Sequence, residues 1–328
     1  MCALQTGITT ITTPALSPLA RHRRKTTELQ LAQLRGIFPA TATAFDNDGA
    51  LDPAAQRKII RHQLDAGVHG FYLCGGTGEG LSLTTAEHRA VVETVLDEVA
   101  GKVPVISHVG AFQIPDALER AGDARSLGVD AVASLPPAYF YKPDDEGMVQ
   151  YYTELAATAA PLPVLIYNLP GRTGIAMTPE LYDRLLAIDN VVGMKDSSGD
   201  LFGIGRFAAQ KPEAVLFCGD DTQAFPAMLA GATGAIGLTY NMVPRSFVQL
   251  WDEMQSGDLK AAAATQSRIN EFIAVILTVE TIAAAKQTMD WMGLGCGLPR
   301  RPIRRLREHE QERLRGGLDS IGFFDGSL

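Results

Sequence analysis

Eight short apolar runs recur along the chain from residue 36, and an amphipathic stretch follows each of them. They cover residues 36–43, 70–74, 103–108, 130–135, 163–168, 191–195, 215–218 and 234–239, and are rich in Val, Ile, Leu and Phe. Their apolarity is continuous rather than alternating. Strands of that kind are buried on both faces, as in a parallel sheet covered by helices. The intervening stretches carry helix-start signals. Asp52-Pro53 offers an N-cap and a first-turn proline, Thr84 and Glu87 have capping-box spacing, and Thr178-Pro179-Glu180 repeats the cap-plus-proline pattern. Eight strand–helix units without a long polar linker predict an α/β chain folded as one closed (β/α)8 TIM barrel. The structural alternative is an open doubly wound sheet. Its dinucleotide pattern is met on paper by Gly203-Ile204-Gly205-Arg206-Phe207-Ala208, but that stretch lies inside a predicted helix, away from any strand end. After residue 258 the strand signal stops, and residues 259–277, 281–292 and 304–315 read as helices. The expected organisation is a flexible tail over residues 1–34, a catalytic barrel over 35–258 and a C-terminal helical region over 259–328.

Charge and cysteine content narrow the partners. The net charge is −8, and the basic run, Arg21-His22-Arg23-Arg24-Lys25, sits in the tail, so no nucleic-acid partner is expected. No apolar stretch reaches the ~18 residues of a membrane span, so no membrane partner is expected either. Cys2, Cys74, Cys218 and Cys296 form no CxxC pair and read as free thiols of a reducing, cytoplasmic compartment. Residues 1–27 lack acids and contain Thr, Ser and Arg, a composition shared by organelle transit peptides and by flexible tails; the tail is preferred.

A barrel of this kind carries its chemistry at the C-terminal ends of its strands. The residues there include Thr77, His108, Tyr139, Phe140 and Tyr141, Tyr167, Arg172, Lys195, Ser197, Asp220 and Asp221, and Leu238. Lys195 closes the run Val191-Val192-Gly193-Met194. A low-dielectric floor disfavours the charged ammonium, and a neutral amine is what attack on a ketone requires. The plainer reading is a strand-end lysine paired with Asp196 or Asp200. Tyr167, on the neighbouring strand, suits proton transfer, or simply caps the core with its hydroxyl in water. Gly75-Gly76-Thr77-Gly78-Glu79 forms a turn whose amides and hydroxyl suit a carboxylate or phosphate, and Arg172 suits a second carboxylate or a rim ion pair. The six histidines show no metal-ligand spacing and no dinucleotide fingerprint stands at a strand end, so neither metal nor nucleotide cofactor is expected.

Taken in order, these motifs resemble the dihydrodipicolinate synthase / N-acetylneuraminate lyase family over roughly residues 35–325. The resemblance rests on residues 75–79, on Tyr167-Asn168-Leu169-Pro170-Gly171-Arg172-Thr173-Gly174, on Gly193-Met194-Lys195-Asp196 and on residues 231–237. It implies a class I lyase in which Lys195 holds pyruvate, or the pyruvoyl end of a sugar acid, as a Schiff base. It further implies that Thr77 binds the carboxylate, Tyr167 transfers protons, and Ser197 and Asp221 line the substrate site. It also implies a homotetramer, a dimer of dimers, with an aromatic of the group Tyr139, Phe140 and Tyr141 reaching a neighbour's site. The chain departs from both name-giving enzymes at Gly76, where they carry a hydroxyl. Arg172 is similar to the synthases; His108-Val109-Gly110 and residues 237–241 are similar to the lyases; Thr222 and Leu238 replace polar sugar-binding groups. A glycine at 76 also resembles 2-keto-3-deoxy sugar-acid aldolases and dehydratases. The expected activity is therefore 2-oxo-acid lyase chemistry on a deoxy-sugar acid. Alternatives are a true 4-hydroxy-tetrahydrodipicolinate synthase, a non-catalytic 2-oxo-acid-binding relative, and a barrel that takes phosphorylated substrates at the glycines near strand 8.

Overall fold

The computed structural model describes residues 31–138 and 142–325. Eight parallel strands form one sheet: β1 (Gly36–Pro39), β2 (Phe71–Leu73), β3 (Val105–His108), β4 (Ala131–Ser134), β5 (Val164–Asn168), β6 (Val191–Asp196), β7 (Val215–Cys218) and β8 (Gly234–Gly237). From β2 onwards each pairs with the next, and β8 pairs with β1. The barrel closes between β1 and β2 through an Ala40–Tyr72 bridge, with amide bonds of 2.9 Å from His69 to the Ile37 carbonyl and from Thr41 to the Tyr72 carbonyl. One helix follows each strand: α1 (Pro53–Asp65), α2 (Thr85–Val99), α3 (Ile114–Leu127), α4 (Asp145–Ala159), α5 (Pro179–Leu186), α6 (Leu201–Gln210), α7 (Ala224–Leu229) and α8 (Pro244–Gln255). The expected (β/α)8 barrel is the fold, and Gly203 to Ala208 lie within α6.

The start signals act as read. Asp52 accepts from the amides of Ala54 and Ala55, Thr84 and Glu87 close a reciprocal capping box, and Thr178 accepts from the Leu181 amide. The first apolar run, expected to be extended to residue 43, leaves the ladder after Pro39. Side chains then take over its amides. Asn241 accepts from Ala42 at 3.0 Å and Gln56 from Ala44 at 2.9 Å, so these buried groups stay satisfied without a strand.

Two apolar layers result. Inside the barrel lie Phe38, Tyr72, Ile106, Leu165, Tyr167, Phe217 and Ile236, with Leu34 buried among them. The larger layer sits between strands and helices. Alternation along each strand divides residues between the layers. At β6 that alternation is interrupted. Val164 pairs with Val191, but Leu165 pairs with Gly193, leaving Val192 as an extra residue. Beyond this bulge Lys195 stands level with Tyr167 and Phe217, on the interior face. Gly193 is obligatory at the bulge, because a Cβ there would lie 1.8 Å from the Val215 carbonyl oxygen.

Three further helices follow the barrel: α9 (Leu259–Ile276), α10 (Thr281–Trp291) and α11 (Glu308–Ser320). The last begins four residues later than its apolar pattern suggests. Glu310 accepts from the Arg307 amide at 2.7 Å, so the chain caps at Arg307 instead of continuing a helix from Arg304. No single described helix is long and apolar enough to cross a membrane.

Candidate active site

Lys195 is 4% exposed. Its Nζ lies 4.2 Å from the ring centroid of Tyr167 and 4.3 Å from that of Tyr72. Among the described residues no carboxylate pairs with it; Asp196, one of the two partners that the plainer reading offered, points to the outer layer and accepts from Asn168 at 3.0 Å and from the Ser198 amide at 2.8 Å. An amine cupped by two aromatic faces at the barrel mouth is therefore shielded from water. Gly219 provides the room: a Cβ there would stand 3.0 Å from the lysine Cε and 1.9 Å from the Ser197 hydroxyl oxygen.

His108 forms the third wall. Its ring meets the Tyr167 ring edge to face with centroids 5.7 Å apart. The Leu135 amide donates to Nε2 at 3.1 Å, so Nδ1 carries the hydrogen and donates to the Cys74 carbonyl, also at 3.1 Å. Burial, with Lys195 nearby, drives its pKa down to about 3, and burial takes His88 behind it down to about 4. Both are neutral imidazoles in the folded protein. The unfolded chain titrates them near 6.5, so below that pH it binds protons that the folded chain does not. Stability is therefore expected to fall from pH 6.5 towards 4, by up to about 1.4 kcal/mol per pH unit for each histidine. Denaturant titrations at pH 7 and 5 check this: His108→Gln should flatten the acid slope, and an unchanged slope would contradict it.

The remaining candidates divide into two groups. Asp221 lies across the mouth, where its carboxylate accepts from the Thr239 amide at 2.7 Å and from the Thr239 hydroxyl at 2.5 Å; burial pushes its pKa up, against those two bonds. Ser197 donates to the Gly219 carbonyl at 3.1 Å. Thr77 is buried in the turn after β2. Gly76 is exposed, and nothing lies within 4 Å of where its Cβ would be, so a hydroxyl-bearing residue has space there that this chain leaves empty. Arg172 is exposed on the single helical turn Pro170–Thr173 after β5 and has no polar partner among the described residues. Leu238 is half-buried after β8. Tyr139, Phe140 and Tyr141 lie outside the described residues, as do Cys2 and the basic run at 21–25. Cys74, Cys218 and Cys296 are buried free thiols, each pushed up to about 12 by burial. No three His, Cys, Asp or Glu side chains among the described residues converge as a metal-ligand set.

Strand ends alone did not reveal Tyr72. It sits in the middle of β2, fully buried, and its hydroxyl lacks a partner among the described residues. The available signal was its polar tip inside an otherwise apolar strand. A cavity of about 820 Å3 between Arg35, His69, Lys102 and Trp251 opens at the N-terminal ends of the strands, opposite this chemistry. That end of a TIM barrel ordinarily serves stability.

A 4-hydroxy-tetrahydrodipicolinate synthase of Methanopyrus kandleri is 34% identical over 293 residues, covering 88% of this chain and 97% of the relative. An N-acetylneuraminate lyase of Rhizobium meliloti is 33% identical, covering 86% and 94%. Among solved structures, the wild-type sialic acid aldolase of Ruminococcus gnavus superposes with a TM-score of 0.86 at 30% identity, covering 90% of this chain and 100% of that one. The family model described as the dihydrodipicolinate synthetase family matches residues 33–320, and the chain belongs to that family.

Proposed function

We propose that the protein is a class I aldolase-type lyase acting on a 2-oxo acid through a Schiff base on Lys195. The observation that carries this is the buried amine between the rings of Tyr72 and Tyr167, with which no carboxylate pairs among the described residues. The amine attacks the ketone carbon of pyruvate, or of the pyruvoyl end of a longer acid. The carbinolamine loses water to give the imine, and loss of a proton from the adjacent carbon gives an enamine nucleophile. Carbon–carbon bond formation to an aldehyde follows; cleavage, or loss of water from a 2-keto-3-deoxy acid, runs through the same enamine. Tyr167 moves the proton. Thr77 and the turn around Gly76 receive the carboxylate, with Ser197, Asp221 and Leu238 around the rest of the substrate and Phe140 or Tyr139 contributed near it.

A deoxy-sugar acid is the preferred substrate, since Gly76 removes a hydroxyl beside the imine. A specific observation favours a second reading, condensation of pyruvate with aspartate semialdehyde: Arg172 stands exposed beyond β5 without a polar partner among the described residues, ready for a second carboxylate. A panel of aspartate semialdehyde with pyruvate, sialic acid and several 2-keto-3-deoxy acids decides between them. The preferred reading expects kcat/KM for a deoxy acid to exceed that for the synthase pair by at least about tenfold, roughly 1.4 kcal/mol in transition-state binding. The reverse order would establish the synthase, and pyruvate binding without any turnover would leave a 2-oxo-acid sensor.

We also propose a homotetramer in a reducing cytoplasm. Leu81 and Phe112 are 42% and 70% exposed on adjoining loops, which Arg120 ties together through the Gly80 and Gly110 carbonyls, and Ile114 at the start of α3 is 39% exposed; apolar side chains of this kind suit a second subunit. Three buried free thiols suit the compartment.

A further inference from the structure

Glu79 ends the turn that carries Thr77, and its backbone is left-handed at φ +52°, as is that of Cys74 at the other end of the turn, φ +56°. Neither is glycine. A residue held in that region persists only where its surroundings over-determine it. At Glu79 the surroundings come from beyond the barrel. One carboxylate oxygen is 2.6 Å from Nζ of Lys286 in α10, with both side chains almost completely buried at 1% and 2% exposure. The other accepts from the backbone amide of Arg300 at 2.7 Å. Lys286 also donates to the Leu298 carbonyl and lies 4.2 Å from the centroid of the Phe45 ring, on whose other neighbour, Arg300, the guanidinium sits 4.3 Å away. The Arg300 guanidinium then grips Glu87, the Ser82 carbonyl and the Gly49 carbonyl, so the segment after α10 holds the middle and the α2 end of the loop between β2 and α2, and the loop after β1 beside it.

We infer that Lys286 is a positioning residue for the carboxylate of the 2-oxo acid, acting through Glu79 on the turn that bears Thr77. This rests on the proposed role of Thr77. Charged groups this deeply buried are held only where each satisfies the other, and this pair lies between the C-terminal helices and a turn whose shape fixes the Thr77 amide and hydroxyl. On this view the helices after residue 258 are part of the substrate-binding apparatus. Lys286 touches no reacting atom, so its loss should weaken capture of the acid without slowing the chemistry.

The test follows borohydride trapping of pyruvate on Lys195 in the full-length protein, by intact mass, over a range of pyruvate concentrations. Lys286→Met should raise the half-saturating pyruvate concentration at least tenfold and leave the trapping rate at saturation within twofold of wild type. Glu79→Gln/Lys286→Met, which strands no buried charge, serves if the single variant fails to fold, and the same shift is expected of it. Thr77→Val is run alongside and should also raise the half-saturating concentration. If Thr77→Val shifts it while the folded Lys286 variants match wild type, the positioning role is overturned and the reading of Thr77 stands. If Thr77→Val matches wild type, that reading falls and the positioning role with it. Trapping lost only in proportion to unfolded protein in both Lys286 variants would also overturn the proposal.

Discussion

Lys195→Ala and Lys195→Met are expected to abolish turnover of every substrate, by at least about 10^4-fold, and to remove the adduct that pyruvate and borohydride leave on the wild-type chain. The magnitude follows from the chemistry. A Schiff base needs a primary amine within bonding distance of the ketone, and Lys195 is the residue whose Nζ lies between Tyr72 and Tyr167 at the barrel mouth. No water or neighbouring side chain replaces a covalent electron sink. The methionine variant separates chemistry from folding. It keeps the apolar stem against Tyr72 and Tyr167 and deletes a buried amine that has no carboxylate partner among the described residues. Removing a buried polar group relieves desolvation, so the melting temperature of Lys195→Met should equal or exceed that of wild type. A folded Lys195→Met that retains turnover, or an adduct mapped to another lysine, would sink the mechanism.

Tyr167→Phe carries the second largest effect, a loss of about 10^2 to 10^4-fold in kcat. The phenylalanine ring preserves the edge-to-face contacts with Tyr72, at 6.0 Å, and His108, at 5.7 Å, so the wall around the lysine survives. Only the hydroxyl, to which the proposed proton transfer is assigned, goes. Imine formation and carbon–carbon bond cleavage both need a proton delivered and withdrawn beside the amine, so both should slow. The adduct should still form given time, because the amine remains. Stopped-flow trapping beside steady-state turnover reads the two steps; wild-type kcat in this variant would assign the proton transfer elsewhere.

The two readings of the sequence that carried furthest share a cause. Continuous apolar runs report burial on both faces, and burial on both faces is what a parallel barrel strand experiences, so the (β/α)8 architecture was legible. Strand ends lie at the mouth, so the level of Lys195, Tyr167, Asp221 and the turn at Thr77 along the barrel axis was legible too, though not the face each takes. Tyr72 was not, because in the middle of a strand without apolar alternation nothing local says which face a residue takes. The partners of Glu79 were equally hidden: Lys286 and Arg300 are more than 200 residues away along the chain.

The same limit applies at Lys195. The run Val191-Val192-Gly193-Met194 is apolar throughout and has no period. A one-residue slip in pairing turns every side chain of a strand to its other face. Had β6 continued in the register set by Val164 and Val191, Met194 would stand beside Tyr167 and Lys195 would face the helices. The extra residue at Val192, where Gly193 alone lets the backbone approach Val215, reverses that parity and brings the amine inside. The barrel and the presence of an amine at its rim follow from the residues alone, because burial and residue chemistry are local properties. That the Lys195 amine faces the interior follows from the pairing of β6 with β5 and β7, because the direction of a side chain in a strand depends on its neighbours.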